Sequence, residues 1–249
     1  MKELHRCTGC RDGEALDFPI SMAFQPIVDI TDRSVFAHEA LVRGVAGEGA
    51  GWVLSRVTQE NLYSFDQACR VTALNWSAQL QLPGRLSINF MPNAVYKPEL
   101  CIRATLATAK RVNFPVERIM FEVTEQEQVE DMEHLLQILR SYRGMGFITA
   151  IDDFGAAYAG LNLLADFQPD VIKLDMHLIR GIDADSVRQV LVEATLQICR
   201  RLNITVIAEG IETLGEYTAL REMGVTLFQG YLFAKPAFQA LPPISFPAQ

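Results

Sequence analysis

The sequence lacks long apolar runs and any excess of positive charge. No stretch reaches the roughly 18 apolar residues of a membrane helix, and the N-terminal MKELHRCTGCRDGEA has no apolar signal-peptide core. Acidic residues outnumber basic ones by 30 to 22, which gives a net charge of −8. We therefore expect a cytoplasmic protein with no membrane span, and no positive field that would attract a nucleic acid polymer.

Cysteine is scarce and unevenly placed. The chain has five cysteines, an odd number that does not fit the paired framework of a small secreted protein. Cys7 and Cys10 form a CxxC pair with three open interpretations: half of a zinc site, a redox pair, or no function. Cys69, Cys101 and Cys199 lie in predicted helices, where core packing explains them. The stretch GVAGEGAG lacks the lysine of a phosphate-binding P-loop.

The apolar residues that are present form short runs separated by helical stretches. Strands that alternate with helices predict a parallel sheet, and the 249 residues match the roughly 250 of an eight-stranded α/β barrel. We predict an N-terminal extension over residues 1–18 and one barrel domain over 19–249. The predicted strands are Met22–Asp29, Val35–Arg43, Leu86–Phe90, Ile119–Val123, Phe147–Ile151, Asp170–Leu174, Thr205–Ala208 and Thr226–Gln229.

The first two predicted strands depart from a regular barrel. Only Ile30–Ser34 joins them, whereas a crossover between parallel strands needs a dozen or more residues. The first pair must therefore be antiparallel, and the fold predicted is a modified TIM (βα)8 barrel.

Two further predictions concern the C-terminal half. The helix after the sixth strand has apolar residues at helical spacing, which predicts the face that packs against the barrel. A loose tail is predicted from Pro242–Pro243 onwards. The residues of the apolar face are Val187, Val190, Leu191, Ala194, Ile198 and Leu202.

Carboxylates, amides and a lysine follow the predicted strands at or just past their ends. In a parallel barrel these ends share one rim, so distant positions converge in one pocket. Oxygen donors suit Mg²⁺ or Mn²⁺ better than zinc, and converging carboxylates repel one another without cations. The pattern predicts bound metal, and one carboxylate of an adjacent pair could bridge two ions about 3.5–4 Å apart. The residues are Glu39, Asn89, Glu122, Asp152, Asp153, Lys173, Glu209 and Gln229.

Three charged residues leave more than one interpretation open. A buried lysine is costly unless paired, so Lys173 is expected as an ion-pair partner, as the group that orients a metal-bound water, or as a phosphate contact. Glu209 and Glu212 begin the segment after the seventh strand, where they also fit the positive end of a helix dipole.

Eight motifs occur in an order known from one family: AFQPIVD, HEALVR, SINFMP, FEVTE, IDDFG, VIKLD, AEGIE and QGYLFAKP. Over about Met22 to Pro236 the chain resembles the EAL-domain cyclic di-GMP phosphodiesterases. The resemblance implies a modified TIM barrel that uses two Mg²⁺ or Mn²⁺ ions to hydrolyse one phosphodiester of cyclic di-GMP, giving linear pGpG. It also implies a homodimer, with a regulatory protein as a further candidate partner.

The resemblance also implies metal ligands and catalytic groups by motif position. The residues that resemble the ligands of one ion are Glu39, Asn89, Glu122 and Asp152. Those that resemble the ligands of the second ion are Asp152, Asp153 and Glu209. Lys173 resembles the group that orients water or handles the proton, and Glu209 is the other candidate for that role.

Other positions resemble substrate contacts and a loop anchor. Arg43 resembles a phosphate contact, and Glu125 resembles the anchor of the loop after the fifth strand. The residues that resemble the lining of the nucleotide pocket are Gln25, Glu212 and Gln229. In that loop, DDFGAAYAG, Ala157 replaces the usual glycine, and alanine tolerates positive φ poorly. A stiffer loop is predicted, in a segment that positions metal and forms dimer contacts in the family.

Three functions compete on the sequence alone. The first is a metal-dependent cyclic di-GMP phosphodiesterase, which the intact acidic set favours. The second is a catalytically weak cyclic di-GMP receptor that acts through partner binding, which Ala157 keeps open. The third is a barrel lyase of the enolase kind, which also uses oxygen ligands and a lysine base. The QPIVD and QGYLFAKP motifs argue against the lyase.

Overall fold

The chain forms strands and helices in alternation. The computed structural model describes residues 16–125, 131–156 and 160–247. The strands are β1 (Ile20–Asp29), β2 (Ser34–Gly44), β3 (Arg85–Asn89), β4 (Ile119–Thr124), β5 (Ile148–Phe154), β6 (Val171–Leu174), β7 (Thr205–Ala208), β8 (Leu227–Phe228) and β9 (Ala237–Phe238).

Helices follow most of the strands and surround the sheet. They are α1 (Ala50–Leu54), α2 (Leu62–Gln79), α3 (Pro98–Cys101), α4 (Arg103–Arg111), α5 (Met132–Gly144), α6 (Gly160–Asp166), α7 (Met176–Ile179), α8 (Ser186–Leu202) and α9 (Leu214–Glu222). The helical segment after β3 is divided in two at Ile102. Within the described segments, no helix combines the length and the apolar character needed to cross a membrane.

The sheet closes into a barrel. Its order runs from β2 to β8 along the chain, then to β1, which pairs back onto β2. Neighbours from β2 to β8 are parallel, whereas β1 is antiparallel to both β2 and β8. The predicted α/β barrel with an antiparallel first pair is confirmed. Residues 1–15 lie outside the described residues, so the division into an extension and a domain stays a prediction.

Side-chain alternation along the strands builds the barrel interior in layers. One layer, called here the apolar plug, consists of Ile27, Ala37, Met120, Ala150, Val171, Ile207 and Leu227. On β2 and on β4 to β8, each plug residue stands two positions before a predicted site residue, as Met120 does before Glu122. A spacing of two keeps both residues on the inner face, so the predicted site lies one layer above the apolar plug.

The main core lies between the outer face of the barrel and the helices. Part of it is a cluster of aromatic rings from β3, β4, α5 and the start of β5. Phe90, Phe121, Tyr142 and Phe147 lie with ring centres 4.9–6.0 Å apart. These rings fix β3 and β4 from outside, on the face opposite to the site.

The face of α8 predicted to pack on the barrel is wrong except at Ile198, which packs against the main core. Val187, Val190 and Leu191 are 67%, 63% and 51% exposed, while Val192 and Leu196 are buried. Apolar residues occur on more than one side of this helix. The prediction from helical spacing selected the side with more of them. The helix packs on the barrel through its narrower stripe and leaves the wider one on the surface.

The loose tail predicted from Pro242–Pro243 is also wrong for the residues described. Leu241, Ile244 and Phe246 pack against the main core. The backbone N–H of Ser245 donates to the carbonyl of Phe233 at 2.9 Å. Apolar residues between the prolines and the C-terminus therefore hold this segment against the barrel.

Candidate active site

Three carboxylates from three strands meet at the barrel rim. Ligand atoms of Glu39 on β2, Glu122 on β4 and Asp152 on β5 all lie within 4.8 Å of one another, and all three residues are buried. Strand register brings them together, because Asn89 pairs with Glu122 and Thr124 with Asp152 on parallel neighbours. This spacing allows one divalent cation to bind all three carboxylates.

The ammonium group of Lys173 lies among these carboxylates. Its Nζ is 2.9 Å from Glu209 Oε1, 3.1 Å from Glu122 Oε2, 3.1 Å from Asp152 Oδ1 and 3.4 Å from Glu39 Oε2. Burial by itself lowers the pKa of a lysine, but the four carboxylates outweigh it and hold the pKa of Lys173 well above its usual range. The side chain is therefore a cation at neutral pH and has no lone pair to act as a base.

One ammonium does not neutralise four carboxylates. Burial raises the pKa of Glu122 to about 8, with Lys173 opposing the rise and Glu39 adding to it. Burial also raises the pKa of Glu209 well above its usual range. Burial acts in the same direction on Asp152, but Lys173 and hydrogen bonds hold its pKa below the usual value. The negative charge of the cluster is therefore not fully compensated, and a bound cation would stabilise it.

The donor set fits a divalent cation of the Mg²⁺ or Mn²⁺ type. Every candidate ligand atom is an oxygen, which such ions prefer. Glu122 Oε1 is buried and has no hydrogen-bond partner. Such an orphaned acceptor is costly unless a cation or donor reaches it. Asn89 Nδ2 donates to Glu39 Oε1 at 2.9 Å, so its amide would have to turn over for the oxygen to join the same ion.

Asp153 stands in an irregular part of β5. The pairing of β5 with β6 shifts register between Ile151 and Phe154, and Asp153 has a φ of 54°, which residues other than glycine seldom adopt. The bulge lets Asp153 line the pocket beside Asp152, although regular alternation would turn it away. Burial and the neighbouring Asp152 raise the pKa of Asp153 to about 6.

Two glutamines connect the antiparallel strand to the carboxylates. Gln229 Nε2 donates to Glu39 Oε2 at 2.7 Å and lies 3.4 Å from Gln25 Oε1, while Gln25 Nε2 donates to the carbonyl of Ala234 at 3.2 Å. The two amides also line a cavity of about 340 Å³ that opens above the site. Gln229 and Lys173 both contact Oε2 of Glu39, so two side chains from different strands orient this carboxylate.

Sequence reasoning did not assign a role to several residues that line this cavity. Asp175 is buried, caps α7 through the backbone N–H of His177, and follows Lys173 by two residues, which was the available signal. Tyr231 is 55% exposed at the cavity, and its place in the QGYLFAKP motif was the available signal. Gly230 is required because a Cβ there would lie 2.1 Å from the carbonyl oxygen of Ile211.

Two predicted substrate contacts lie away from the carboxylate cluster. The exposed Glu212 lines the cavity and pairs with Arg180, whose Nη2 lies 3.1 Å from Glu212 Oε1. Arg43 is half-buried, and its Nη1 donates to the carbonyl of Val42 at 2.7 Å. Because Arg43 follows Glu39 by four residues on β2, it shares the inner face, further out towards solvent.

Glu125 contacts the start of the loop that follows β5. Its Oε2 accepts a hydrogen bond from the backbone N–H of Gly155 at 2.7 Å, and its own N–H donates to the carbonyl of Asp152 at 2.9 Å. Both contacts fit the anchor role expected of Glu125. Ala157 lies outside the described residues, as do Cys7 and Cys10.

The cysteines that the structure describes lie in helices, away from the site. Cys101 and Cys199 are buried and Cys69 is half-buried, each with a free thiol. Burial raises the pKa of Cys199 to about 11. These thiols are therefore core residues with little reactivity.

Comparison with known proteins places the chain in a family. Residues 17–236 match the profile of the EAL domain. The chain is 32% identical over 226 residues to the blue light- and temperature-regulated antirepressor BluF of Escherichia coli (strain K12), over 90% of this chain and 56% of BluF. It is 37% identical over 137 residues to the cyclic di-GMP phosphodiesterase PdeR of the same strain, over 55% of this chain and 20% of PdeR. The chain thus spans only part of these relatives.

Solved structures show the same fold. A standalone versatile EAL protein from Vibrio cholerae O395, in its c-di-GMP-bound form, has a TM-score of 0.90 and 54% identity over 93% of this chain and 98% of that chain. A manganese and cyclic di-GMP complex of Klebsiella pneumoniae BlrP1 at pH 6 has a TM-score of 0.86 and 34% identity over 92% of this chain and 58% of that chain. With most of its length matched by the EAL profile, the chain belongs to the EAL domain family.

Proposed function

We propose that this chain is a metal-dependent phosphodiesterase that hydrolyses cyclic di-GMP to linear pGpG. The observation that carries the proposal is the convergence of Glu39, Glu122 and Asp152 within 4.8 Å at the rim of an EAL barrel. Further support comes from the 54% identity to a c-di-GMP-bound EAL protein. A cavity of about 340 Å³ is bordered by Glu39, Asp153 and Glu209 and gives a small ligand access to this side of the cluster.

Two Mg²⁺ or Mn²⁺ ions are proposed as cofactors. The ligands proposed for one ion are Glu39, Asn89, Glu122 and Asp152, and those for the other are Asp152, Asp153 and Glu209. Bound ions of this type lower the pKa of a coordinated water and offset the charge that develops on a phosphodiester during hydrolysis. The bulge at Asp153 is the feature that brings this carboxylate to the cavity lined by Glu39 and Glu209.

The contacts of Lys173 and Glu209 support different roles for the two residues. Lys173 contacts four carboxylates of the cluster, so it is proposed to orient the attacking water and stabilise negative charge. Glu209 is proposed as the group that accepts or holds the proton, since it contacts Lys173 and lines the cavity. Arg43 and the Gln25, Glu212 and Gln229 side chains are proposed to bind the phosphate and nucleotide parts of the substrate.

The second candidate function is a catalytically weak receptor for cyclic di-GMP. The 32% identity to the antirepressor BluF favours it, because that relative is named for a regulatory role. In this case the same pocket would bind the nucleotide, and the output would be contact with a regulatory protein.

A homodimer in the cytoplasm is proposed as the working form. The resemblance implies an interface formed by the loop after β5 and the helix that follows it. An exposed apolar stripe on α8, formed by Val187, Val190 and Leu191, is a second surface that another copy of the chain could cover. Light scattering tests the dimer, and Val190→Asp should shift the protein to monomer if this stripe forms the interface. A wild-type protein that stays monomeric at high concentration would refute it.

Product analysis decides between the enzyme and the receptor. The protein is incubated with cyclic di-GMP and Mg²⁺ or Mn²⁺, and nucleotides are separated by chromatography. Metal-dependent formation of pGpG by wild type, absent in Asp152→Asn, supports the phosphodiesterase. Tight binding of cyclic di-GMP without product supports the receptor, and the absence of both binding and product refutes both.

A further inference from the structure

A buried ion pair lies outside the barrel, behind the candidate metal ligands. Asp66 and Arg70 stand one turn apart on α2, and their side chains are 1% and 0% exposed, with Arg70 Nη2 2.5 Å from Asp66 Oδ2. Such a pair contributes little net stability compared with apolar side chains of similar size, because both charges lose their water. Stability alone therefore does not account for this pair.

Asp66 reaches the backbone beside a candidate metal ligand. Its Oδ1 accepts a hydrogen bond from the backbone N–H of Met91 at 3.0 Å. Met91 stands two residues after Asn89, just past the end of β3. A hydrogen bond to a charged acceptor is about twice as strong as a neutral one. The Asp66 carboxylate thus fixes the backbone where the chain leaves β3. It thereby restrains the backbone position from which the Asn89 side chain extends.

Arg70 contacts the outer faces of the strands that carry Asn89 and Glu122. Its guanidinium carbon lies 5.8 Å from the ring centre of Phe90 and 5.2 Å from that of Phe121. Phe90 follows Asn89 and Phe121 precedes Glu122, so each ring lies on the opposite face of the strand from the ligand beside it. Arg70 therefore holds both strands from behind while it fixes the Asp66 carboxylate.

The space beside this turn is not close-packed. A cavity of about 280 Å³ borders Asp66, Asn89, Met91 and Thr124. Atoms that line a cavity lack contacts on one side, so packing resists a shift of the Met91 backbone less than it would in a filled core. Directional hydrogen bonding to Asp66 supplies the restraint that packing does not.

We propose that Asp66, held by Arg70, is a positioning residue that sets the geometry of Asn89 and Glu122 from outside the barrel. The inference rests on the proposed function, since it assumes that these two residues bind Mg²⁺ or Mn²⁺. Groups that orient metal ligands typically change metal affinity or activity about 10–100-fold when they are removed. Mg²⁺ requires near-ideal octahedral geometry, so displaced ligands weaken its binding more than that of Ca²⁺.

Two double variants separate the hydrogen bond from the buried charge. Asp66→Asn with Arg70→Met removes both charges but keeps an amide oxygen that can accept from Met91. Asp66→Leu with Arg70→Met removes that acceptor as well. Leu74→Ala is the control for lost stability. Leu74 is fully buried on the same helix and lies eight residues after Asp66, further from the barrel rim.

Mn²⁺ affinity, measured by calorimetric titration of each folded variant, is the main readout. The leucine double variant should bind Mn²⁺ about 10-fold or more weakly than the asparagine double variant. Leu74→Ala should bind as tightly as wild type despite its lower melting temperature. If the leucine variant does not fold, Asp66→Glu replaces it, since it keeps the charge but displaces the acceptor and should also weaken Mn²⁺ binding.

Equal Mn²⁺ affinity in the two double variants, or wild-type affinity in Asp66→Glu, would overturn this inference and leave the proposed function intact. A wild-type chain that does not bind Mn²⁺ would overturn both. A wild-type chain that binds Mn²⁺ without hydrolysing cyclic di-GMP would reject the phosphodiesterase alone, and the variant affinities would still decide the role of Asp66.

Discussion

Glu122→Gln should stabilise the metal-free protein while abolishing hydrolysis. Glu122 is fully buried, and burial raises its pKa to about 8 with Lys173 opposing the rise. Glutamine has the same shape and keeps an oxygen that can accept from Lys173, but it carries no charge to desolvate. It would also bind a divalent cation far more weakly than a carboxylate does. Stability and function should therefore change in opposite directions.

The size of the effect follows from the pKa. A rise from 4.5 to about 8 corresponds to about 5 kcal/mol, at about 1.36 kcal/mol for each tenfold change in proton affinity. That pKa already includes the attraction of Lys173 3.1 Å away, so a stabilisation on the order of a few kcal/mol is expected at high pH. The carboxyl binds its proton more tightly in the folded state, so wild-type stability is lost as pH rises from 4.5 to about 8.

Urea unfolding in a chelating buffer tests this prediction. The variant and wild type should be equally stable near pH ~4, and the variant should be more stable near pH ~9. Mn²⁺ should then stabilise wild type more than the variant, which keeps the ligands proposed for the second ion. Glu222→Gln, an exposed position on α9, is the matched control and should change neither result. A variant less stable than wild type at high pH, or equally stabilised by Mn²⁺, would refute the reasoning.

Three further predictions concern kinetics. Asp152→Asn should abolish hydrolysis while the melting temperature changes little, because Asp152 is the proposed bridging ligand; near wild-type turnover at saturating Mg²⁺ would reject the two-metal assignment. Arg43→Ala should mainly raise KM, whereas Lys173→Ala should mainly lower kcat, and steady-state kinetics showing the reverse would exchange their roles. Ala157→Gly should change activity or metal dependence more than thermal stability, because the loop begins at the metal ligands; paired kinetics and melting curves identical to wild type would show that the alanine is neutral.

The positions of the rim residues could be predicted because strand geometry leaves little freedom. Parallel strands end at one rim, and a side-chain period of two decides which residues face inward. Glu39, Glu122 and Asp152 therefore meet as expected from local sequence alone. Lys173 was expected among the carboxylates for the same reason, and its four short contacts agree.

Features that depend on irregular backbone or on a choice between similar surfaces could not be predicted. Regular alternation turns Asp153 away from the pocket, and only the bulge with its positive φ reverses this. The shape of the barrel wall decides which stripe of α8 packs inward. Helical spacing in the sequence gives no information about that shape. The link from Asp66 to Met91 joins two residues 25 positions apart through one hydrogen bond, and no local pattern marks it.

The layered interior explains why substitutions at the site can be interpreted as functional. The apolar plug lies one layer below the carboxylates, and its members are at most 4% exposed. Because these residues and the aromatic cluster outside the barrel hold the strands in register, the like charges at the rim can be kept close together at a local cost in stability. Removing the charge of Glu122 relieves repulsion, and removing that of Asp152 gives up one contact with Lys173, but neither change removes the contacts that hold the strands. A loss of activity in Asp152→Asn or Glu122→Gln would therefore report on cation binding and chemistry rather than on unfolding.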